Sequence, residues 1–340
     1  MIDNLRPLLT QDYARYEVLF VVDSAKDPAI KIADQLRSGS AVASRIVIAG
    51  PATDSGQKVH NLRVAVNEID PQSEVLVFVD TDARPASDWL RKLVAPLTDE
   101  TLGASTGYRW FVPERGGIAS RVRGVWNASV ASALGSDTAK NFCWGGSTAI
   151  RRTTFTRLNV SERWRGSVSD DFTITRVLKD AKLPIHFTPN CLVASVGDCD
   201  FKELLEFTTR QIKITRVYAS HLWLPLLLGS ALFAIAFFGG ITLLILQILK
   251  ILSPTVLLPL VLLVIFTLGA AKSFIRFRAV SRALTTSRAD LVAHIFLWPF
   301  ASLLYLYNAI AAGFSRRIKW RGITYELKSP GEAVIISRDS

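Results

Sequence analysis

Short apolar runs alternate with stretches of helical period through the first two thirds of the chain. Glu17–Val22 (EVLFVV) predicts a strand, and residues 30–36 predict a helix. A second strand is expected at 44–48, ending at Gly50-Pro51, and a second helix at 59–69. Residues 75–79 (VLVFV) are apolar on both faces and rich in β-branched side chains, the pattern of a central strand in a parallel sheet. Beyond it the pattern predicts a helix at 89–97, a strand at 103–111, a helix at 118–133, and a glycine-containing loop with a short strand at 141–150. A helix follows at 171–181, with Ser169 or Asp170 as its N-cap. Two short strands are expected at 185–187 and 191–196, then a basic amphipathic helix over Phe201–Tyr218. The alternation implies βαβ units and an α/β fold.

The last third changes character. Residues 222–249, 251–271 and 291–314 are apolar, and the first two have charge-free cores long enough to cross about 30 Å of hydrocarbon. The short, nearly uncharged connection at 250–254 belongs outside the membrane, and the basic loop at 272–288 inside it. The third segment has basic flanks on both sides and contains His294, Pro299 and Asn308, which favours a re-entrant or interfacial hairpin over a simple crossing. The chain thus divides into a soluble domain at 1–220, a membrane region at 221–315 and a basic tail at 316–340.

Charge sharpens this picture. The mean hydropathy is +0.28 and the net charge +11. The basic residues cluster beside the apolar segments: Arg210, Lys213 and Arg216 before them, Lys272, Arg276, Arg278, Arg282 and Arg288 between them, and Arg316, Arg317, Lys319 and Arg321 after them. Cations in those places read as cytoplasmic flanks and contacts to anionic lipid rather than as a nucleic-acid surface. The three cysteines form no C-x-x-C pair and no disulfide framework, which suits reduced thiols facing the cytosol.

Four groups carry candidate chemistry. Asp80-Thr81-Asp82 ends the apolar strand, where open α/β sheets bind ligands. Two carboxylates one residue apart can hold a hard cation, Mg²⁺ or Mn²⁺, against a diphosphate; a solvated turn is the plainer reading. Asp27-Pro28 begins a turn or contacts a ligand. Asp170-Asp171 caps a helix or does chemistry there. Arg210, Lys213 and Arg216 share a helix face, as a lipid-facing stripe or as part of a site. Beside these, Gly145-Gly146 is a tight turn or a place where backbone must approach a ligand closely.

As a set, these residues resemble the ceramide glucosyltransferase family, within the larger family-2-type glycosyltransferases of GT-A fold. The resemblance spans almost the whole chain. It runs from Asn4-Leu5 and Gln11-Asp12-Tyr13 through Asp27-Pro28-Ala29 (the family's first aspartate), Lys58-Val59-His60-Asn61-Leu62 and Asp80 (its second). It continues through Gly145-Gly146-Ser147, Arg151-Arg152 and Asp171 (its third) to Ile318–Tyr325. It implies a GT-A, Rossmann-like sheet followed by transmembrane helices. It also implies an inverting transfer of a hexose, glucose above all, from a UDP-sugar to a lipid hydroxyl at the cytoplasmic face of a membrane. In that reading Asp80 and Asp82 hold the metal and Asp171, with Asp170 beside it, is the catalytic base. Asp27, Lys58, Gly145, Gly146, Gln211 and Arg216 contact substrate, and Arg210 and Lys213 offset diphosphate charge. A polymer-extending synthase of the same superfamily and a non-catalytic membrane scaffold are the alternatives.

Two departures stand out. The family's Q/R-x-x-R-W pattern is Arg210-Gln211-Ile212-Lys213-Ile214 here; Lys keeps charge without the bidentate fork, and the Trp wall is gone. Relatives also carry an anchor and a first strand, one that helps hold the uridine, ahead of the point where this sequence begins; the sheet is expected to lack that strand, with either a true start upstream, the favoured reading, or a donor site that lacks a part.

Overall fold

The computed structural model describes residues 1–339. In chain order its elements are α1 (Ile2–Leu5), β1 (Glu17–Val22), α2 (Ala29–Ser38), β2 (Ala43–Ile48), α3 (Gln57–Ala65), β3 (Val75–Phe78), β4 (Ala83–Arg84), α4 (Trp89–Val94) and β5 (Ala104–Val112). Then come α5 (Ile118–Ala131), β6 (Thr148–Arg151), α6 (Arg152–Arg157), α7 (Val160–Arg163), α8 (Asp170–Asp180), β7 (Ile185–Val196) and α9 (Phe201–Tyr218). The chain ends in α10 (Ser220–Ala234), α11 (Gly240–Ile248), α12 (Leu257–Val280), α13 (Arg288–Phe296), α14 (Trp298–Phe314), β8 (Arg317–Trp320), β9 (Ile323–Ser329) and β10 (Glu332–Arg338).

The residues fall into two interleaved units: Met1–Trp110, Ala131–Val196 and Arg317 onward form one, and Phe111–Val130 with Gly197–Arg316 the other. The first unit is mixed α/β. β1 and β2 pair in parallel, Glu17 beside Ala43 through Val22 beside Ile48. A five-stranded sheet has the order β3-β6-β5-β7-β4. Here the reading of 75–79 as a central parallel strand is corrected: β3 stands at the end of this order and pairs antiparallel with β6, Phe78 beside Thr148 and Val75 beside Arg151. Leu76 and Phe78 point into a core with Val59, Ile150, Phe155, Trp164, Ile174 and Leu178. The two short strands expected at 185–187 and 191–196 are one continuous strand, β7.

Residues 316–340, read as a basic tail, instead carry an antiparallel sheet of order β10-β9-β8. Ile323, Tyr325 and Leu327 alternate inward along β9 and are nearly fully buried. The sheet is fastened to the start of α3. The Gln57 N–H donates to the Tyr325 hydroxyl (3.1 Å), and Arg338 Nη2 donates to the Ala52 carbonyl (2.6 Å). Gly166 has φ +73 and so little room that a Cβ there would lie 2.0 Å from the Gly331 carbonyl oxygen.

The second unit is helical. Ser220–Ile248 and Leu257–Val280 are long and apolar enough to cross a membrane. The first is a single path through α10 and α11 with a π-turn at Ile235–Gly239, where Phe237-Phe238-Gly239-Gly240 loosens the helix. The second is displaced from the expected 251–271: Ser253-Pro254 keeps the chain out of helix, and α12 then runs on through Lys272, Arg276 and Arg278. The loop expected at 272–288 shrinks accordingly. α13 and α14 meet at a 60° bend, so the pair is either one broken span or a re-entrant turn. Pro299, the second residue of α14, supplies no N–H and fits that break. Trp126 of α5 stacks on Tyr305 of α14 (4.8 Å), whose hydroxyl donates to the Trp126 carbonyl (2.8 Å).

Candidate active site

The antiparallel pairing of β3 with β6 builds the site. Residues just after β3 necessarily lie beside residues just before β6, so Asp80 and Asp82 meet the loop containing Trp144, Gly145 and Gly146. β5 pairs with β6 as well, Thr106 beside Thr148, and running on from there it brings Arg109 to the same place.

Lys58, in the first turn of α3, joins the parts. Its Nζ lies 2.7 Å from Asp80 Oδ1 and 3.1 Å from Asp170 Oδ1. Asp170 is the first residue of α8 and is 2 % exposed; its Oδ2 is buried without a hydrogen-bond partner. Ser169 is the N-cap, accepting from the Phe172 N–H. Asp171 accepts hydrogen bonds from the Ser169 hydroxyl, from its neighbour's N–H at Phe172 (2.8 Å) and from the Gly145 N–H (3.4 Å). Both readings of Asp170-Asp171 therefore meet in one place: the pair opens a helix, and it faces the lysine.

The two glycines are required by proximity. A Cβ on Gly145 would lie 2.2 Å from Asp170 Oδ2 and 2.7 Å from Lys58 Nζ. One on Gly146 would lie 2.8 Å from Asp80 Oδ2 and 2.2 Å from the Trp144 ring. Trp144 itself is buried and lies under the Arg109 guanidinium, 4.8 Å from ring centroid to Cζ. Trp164 is core: it is fully buried, packs edge-on against Phe78 (5.4 Å) and donates to the Asp170 carbonyl (3.0 Å).

Charges in this cluster perturb one another. Burial acts to discharge Lys58, but Asp170, Asp80 and Asp171 together override it and hold the ammonium well above the usual lysine range. Burial also opposes ionisation of Asp80, yet Lys58, Arg109 and then Arg321 hold it below the usual carboxylate range. For Asp170 burial dominates and pushes it up to about 6 against the pull of Lys58.

Arg109 and Arg321 join the cluster although no motif in the sequence assigns them to it. Arg109 Nη2 is 3.9 Å from Asp80 and Nη1 is 3.8 Å from Asp82, so one guanidinium bridges both carboxylates. Its only sequence signal is a charge inside an otherwise mostly apolar strand. Arg321 Nη2 donates to the Thr81 hydroxyl (3.4 Å). Among the described residues no three His, Cys, Asp or Glu side chains gather as a metal cage. The donor set still suits a hard divalent cation: Asp80 and Asp82 converge on one cationic centre, and Mg²⁺ sites of this kind take one or two carboxylates, the rest coming from phosphate and water.

The other expected residues lie on other elements. Asp27 is tied into its own loop, its Oδ1 accepting from the Ala29 N–H (2.8 Å), which is the turn reading. Arg210, Gln211, Lys213 and Arg216 lie on α9 of the second unit. There Arg210 lies over the Phe207 ring (5.6 Å). Arg216 donates to the Ala312 and Gly313 carbonyls at the end of α14 and covers Trp223 (4.9 Å), so it acts as a helix C-cap cation within that unit.

The family model for glycosyl transferase family 21 matches residues 1–333. The chain belongs to that family. As a family 21 protein it is a glycosyltransferase of mixed α/β, GT-A type with two or three C-terminal apolar helices that could cross a membrane. Among curated proteins none matches the sequence. Of solved structures, the crystal structure of a mycobacterial protein is similar at 17 % identity and a TM-score of 0.36, covering 63 % of this chain and 68 % of that one. Residues 1–349 of S. aureus TarS, solved with UDP, are similar at 13 % identity and a TM-score of 0.40, covering 99 % of this chain and 95 % of that one.

Proposed function

We propose that this glycosyltransferase moves a hexose, with inversion, from a UDP-sugar onto the hydroxyl of a membrane lipid of ceramide-like type. The observation that carries the reading is the convergence of Asp80, Lys58, Asp170 and Asp171 over a floor made of two glycines, in a chain with two apolar helices of membrane-crossing length.

In this reading Asp171 takes the acceptor's hydroxyl proton while the hydroxyl oxygen attacks the anomeric carbon and UDP departs. The hydrogen bonds that it accepts from Ser169, Phe172 and Gly145 orient its carboxyl group beside the glycine loop. Asp170, buried and paired to Lys58, fixes the lysine rather than meeting the acceptor. Lys58 and Arg109 hold the Asp80-Thr81-Asp82 loop in shape. Asp80 and Asp82 would hold Mg²⁺ or Mn²⁺, which when bound offsets charge developing on the departing diphosphate. Basic residues at 272–288 support a catalytic unit on the cytoplasmic side.

The test is direct. Detergent-solubilised protein is incubated with UDP-glucose, Mn²⁺ and a total lipid extract, and new glycolipid is sought by mass spectrometry beside Asp171→Asn. A product absent from the variant supports the reading and identifies the acceptor. No lipid product from any UDP-hexose, with UDP bound, refutes the acceptor assignment.

A further inference from the structure

The C-terminal sheet reaches the Asp80-Thr81-Asp82 loop with the side chain of Arg321. β8 and β9 are joined by two residues, Arg321 and Gly322, with Trp320 and Ile323 the closing pair. Both turn residues have positive φ, +49 and +76. Two-residue hairpins of this hand favour Asn-Gly because an ordinary side chain is strained at the first position. Arg is a poor choice for the turn, and strain of that kind persists where the side chain is needed.

The charges around it indicate what it is needed for. Asp80, Asp82 and Asp170 each already have a cation within 4 Å, supplied by Lys58 or Arg109. Arg321 has no ion pair among the described residues; its guanidinium is exposed and makes a single long hydrogen bond to a neutral hydroxyl. It stands beside the acidic loop with no carboxylate oxygen of the described residues within 4 Å, in a fork that suits phosphate oxygens. Its base is fixed rather than trailing, through Tyr325 to Gln57 and Arg338 to Ala52.

We propose that Arg321 is a donor-binding residue: the turn of the C-terminal hairpin presents its guanidinium to the diphosphate of the nucleotide sugar. This rests on the nucleoside-diphosphate donor reading above. It makes the C-terminal sheet part of the donor site rather than a lipid-facing tail.

The experiment is calorimetric titration of UDP, UMP and uridine into the full-length protein in detergent with Mg²⁺. Arg321→Asn is the main variant, because Asn suits the turn and should leave the Tm equal or higher. Without the charge-assisted hydrogen bond from Arg321, UDP should bind roughly 10- to 100-fold more weakly. UMP and uridine should change by less than about threefold, since the deleted charge faces the diphosphate. Arg321→Lys, a point charge without the fork, should fall between. Lys319→Gln, whose native side chain pairs with Asp339 at 2.8 Å, should match the wild type. The proposal is overturned if Arg321→Asn binds UDP like the wild type, or if UDP, UMP and uridine weaken equally, the mark of a loop-pinning role. If the wild type binds no UDP at all, the donor reading itself fails, and this inference with it.

Discussion

Removing Lys58 tests the electrostatic logic of the site most sharply. Lys58→Met keeps the stem and deletes the ammonium that lies 3.1 Å from Asp170 and 2.7 Å from Asp80. The Asp80 carboxylate is one-fifth exposed and keeps Arg109, so that part of the loss is screened. Asp170 has no such relief: its side chain is 3 % exposed and Lys58 is its cation. Breaking a buried pair from one side costs ~3–5 kcal/mol, and the low end applies because Lys58 is itself a quarter exposed. At ~2–4 °C per kcal/mol for a unit of this size, the apparent Tm should fall by about 6–12 °C at pH 8. The pH dependence fixes the cause. Asp170 titrates near 6 even beside Lys58, above its unfolded value of 3.8. Without Lys58 its folded pKa rises further. A carboxyl raised in the folded state penalises folding when ionised; that penalty is full above the folded pKa and fades as pH falls through it toward the unfolded value. The loss should therefore shrink at pH 5, and Lys58→Met/Asp170→Asn should recover most of it at pH 8 because no buried charge remains. Tryptophan-fluorescence melts at the two pH values read both. A loss under about 3 °C at pH 8, below the range worked above, would refute the reasoning. So would an equal loss at both pH values, or no recovery in the double variant.

Three further outcomes are expected. Gly145→Ala places a methyl 2.2 Å from Asp170 Oδ2 and must part Asp170 from Lys58, so kcat should drop by about 100-fold in a glycolipid-forming assay, as misplacements near 1 Å do. Asp171→Asn should lower kcat by ~10²–10⁴-fold with UDP affinity retained by calorimetry, the signature of a missing base. EDTA should abolish turnover and Mn²⁺ restore it, and Asp82→Asn should raise the half-saturating Mn²⁺ concentration by at least about tenfold, one of two charged ligands being gone.

What was legible in the sequence and what was not follow from how far apart the partners lie. β1 and α9 begin and end where hydropathy alone puts them, because their signals are local: a run of EVLFVV, and an apolar period opened by an Asp200–Glu203 capping box. The acidic triplet was legible too, because it sits at a strand end and needs no partner to be noticed. Its setting was not. The neighbours of β3 come from residues 148–151, and no pattern within β3 distinguishes a parallel central strand from one paired antiparallel to a later segment. Lys58, Arg109 and Arg321 reach Asp80 and its loop from a helix, a strand and a hairpin separated by scores of residues; only the tertiary fold selects them from the other cations.

The C-terminal segment shows how one strong signal masks a weaker one. Its Lys and Arg residues, following three apolar stretches, read as a membrane flank. Yet Ile323, Tyr325 and Leu327 alternate with polar neighbours, the period of a half-buried strand, and they are the residues the fold buries. Once the sheet exists, part of the basic excess is committed within it. Lys319 pairs with Asp339, Lys328 with Glu326, and Arg338 donates to the Ala52 carbonyl. The inference from net charge to anionic lipid therefore weakens for this segment, while it keeps its force for the cations of α12 and the loop after it. Charge counted along a sequence gives the sign of a field, but whether that field acts on a membrane or on a bound diphosphate depends on which cations the fold has already neutralised. Arg321 has no carboxylate oxygen within 4 Å among the described residues and stands beside the acidic loop, so in the donor-binding proposal its anion is a nucleotide's diphosphate rather than a bilayer.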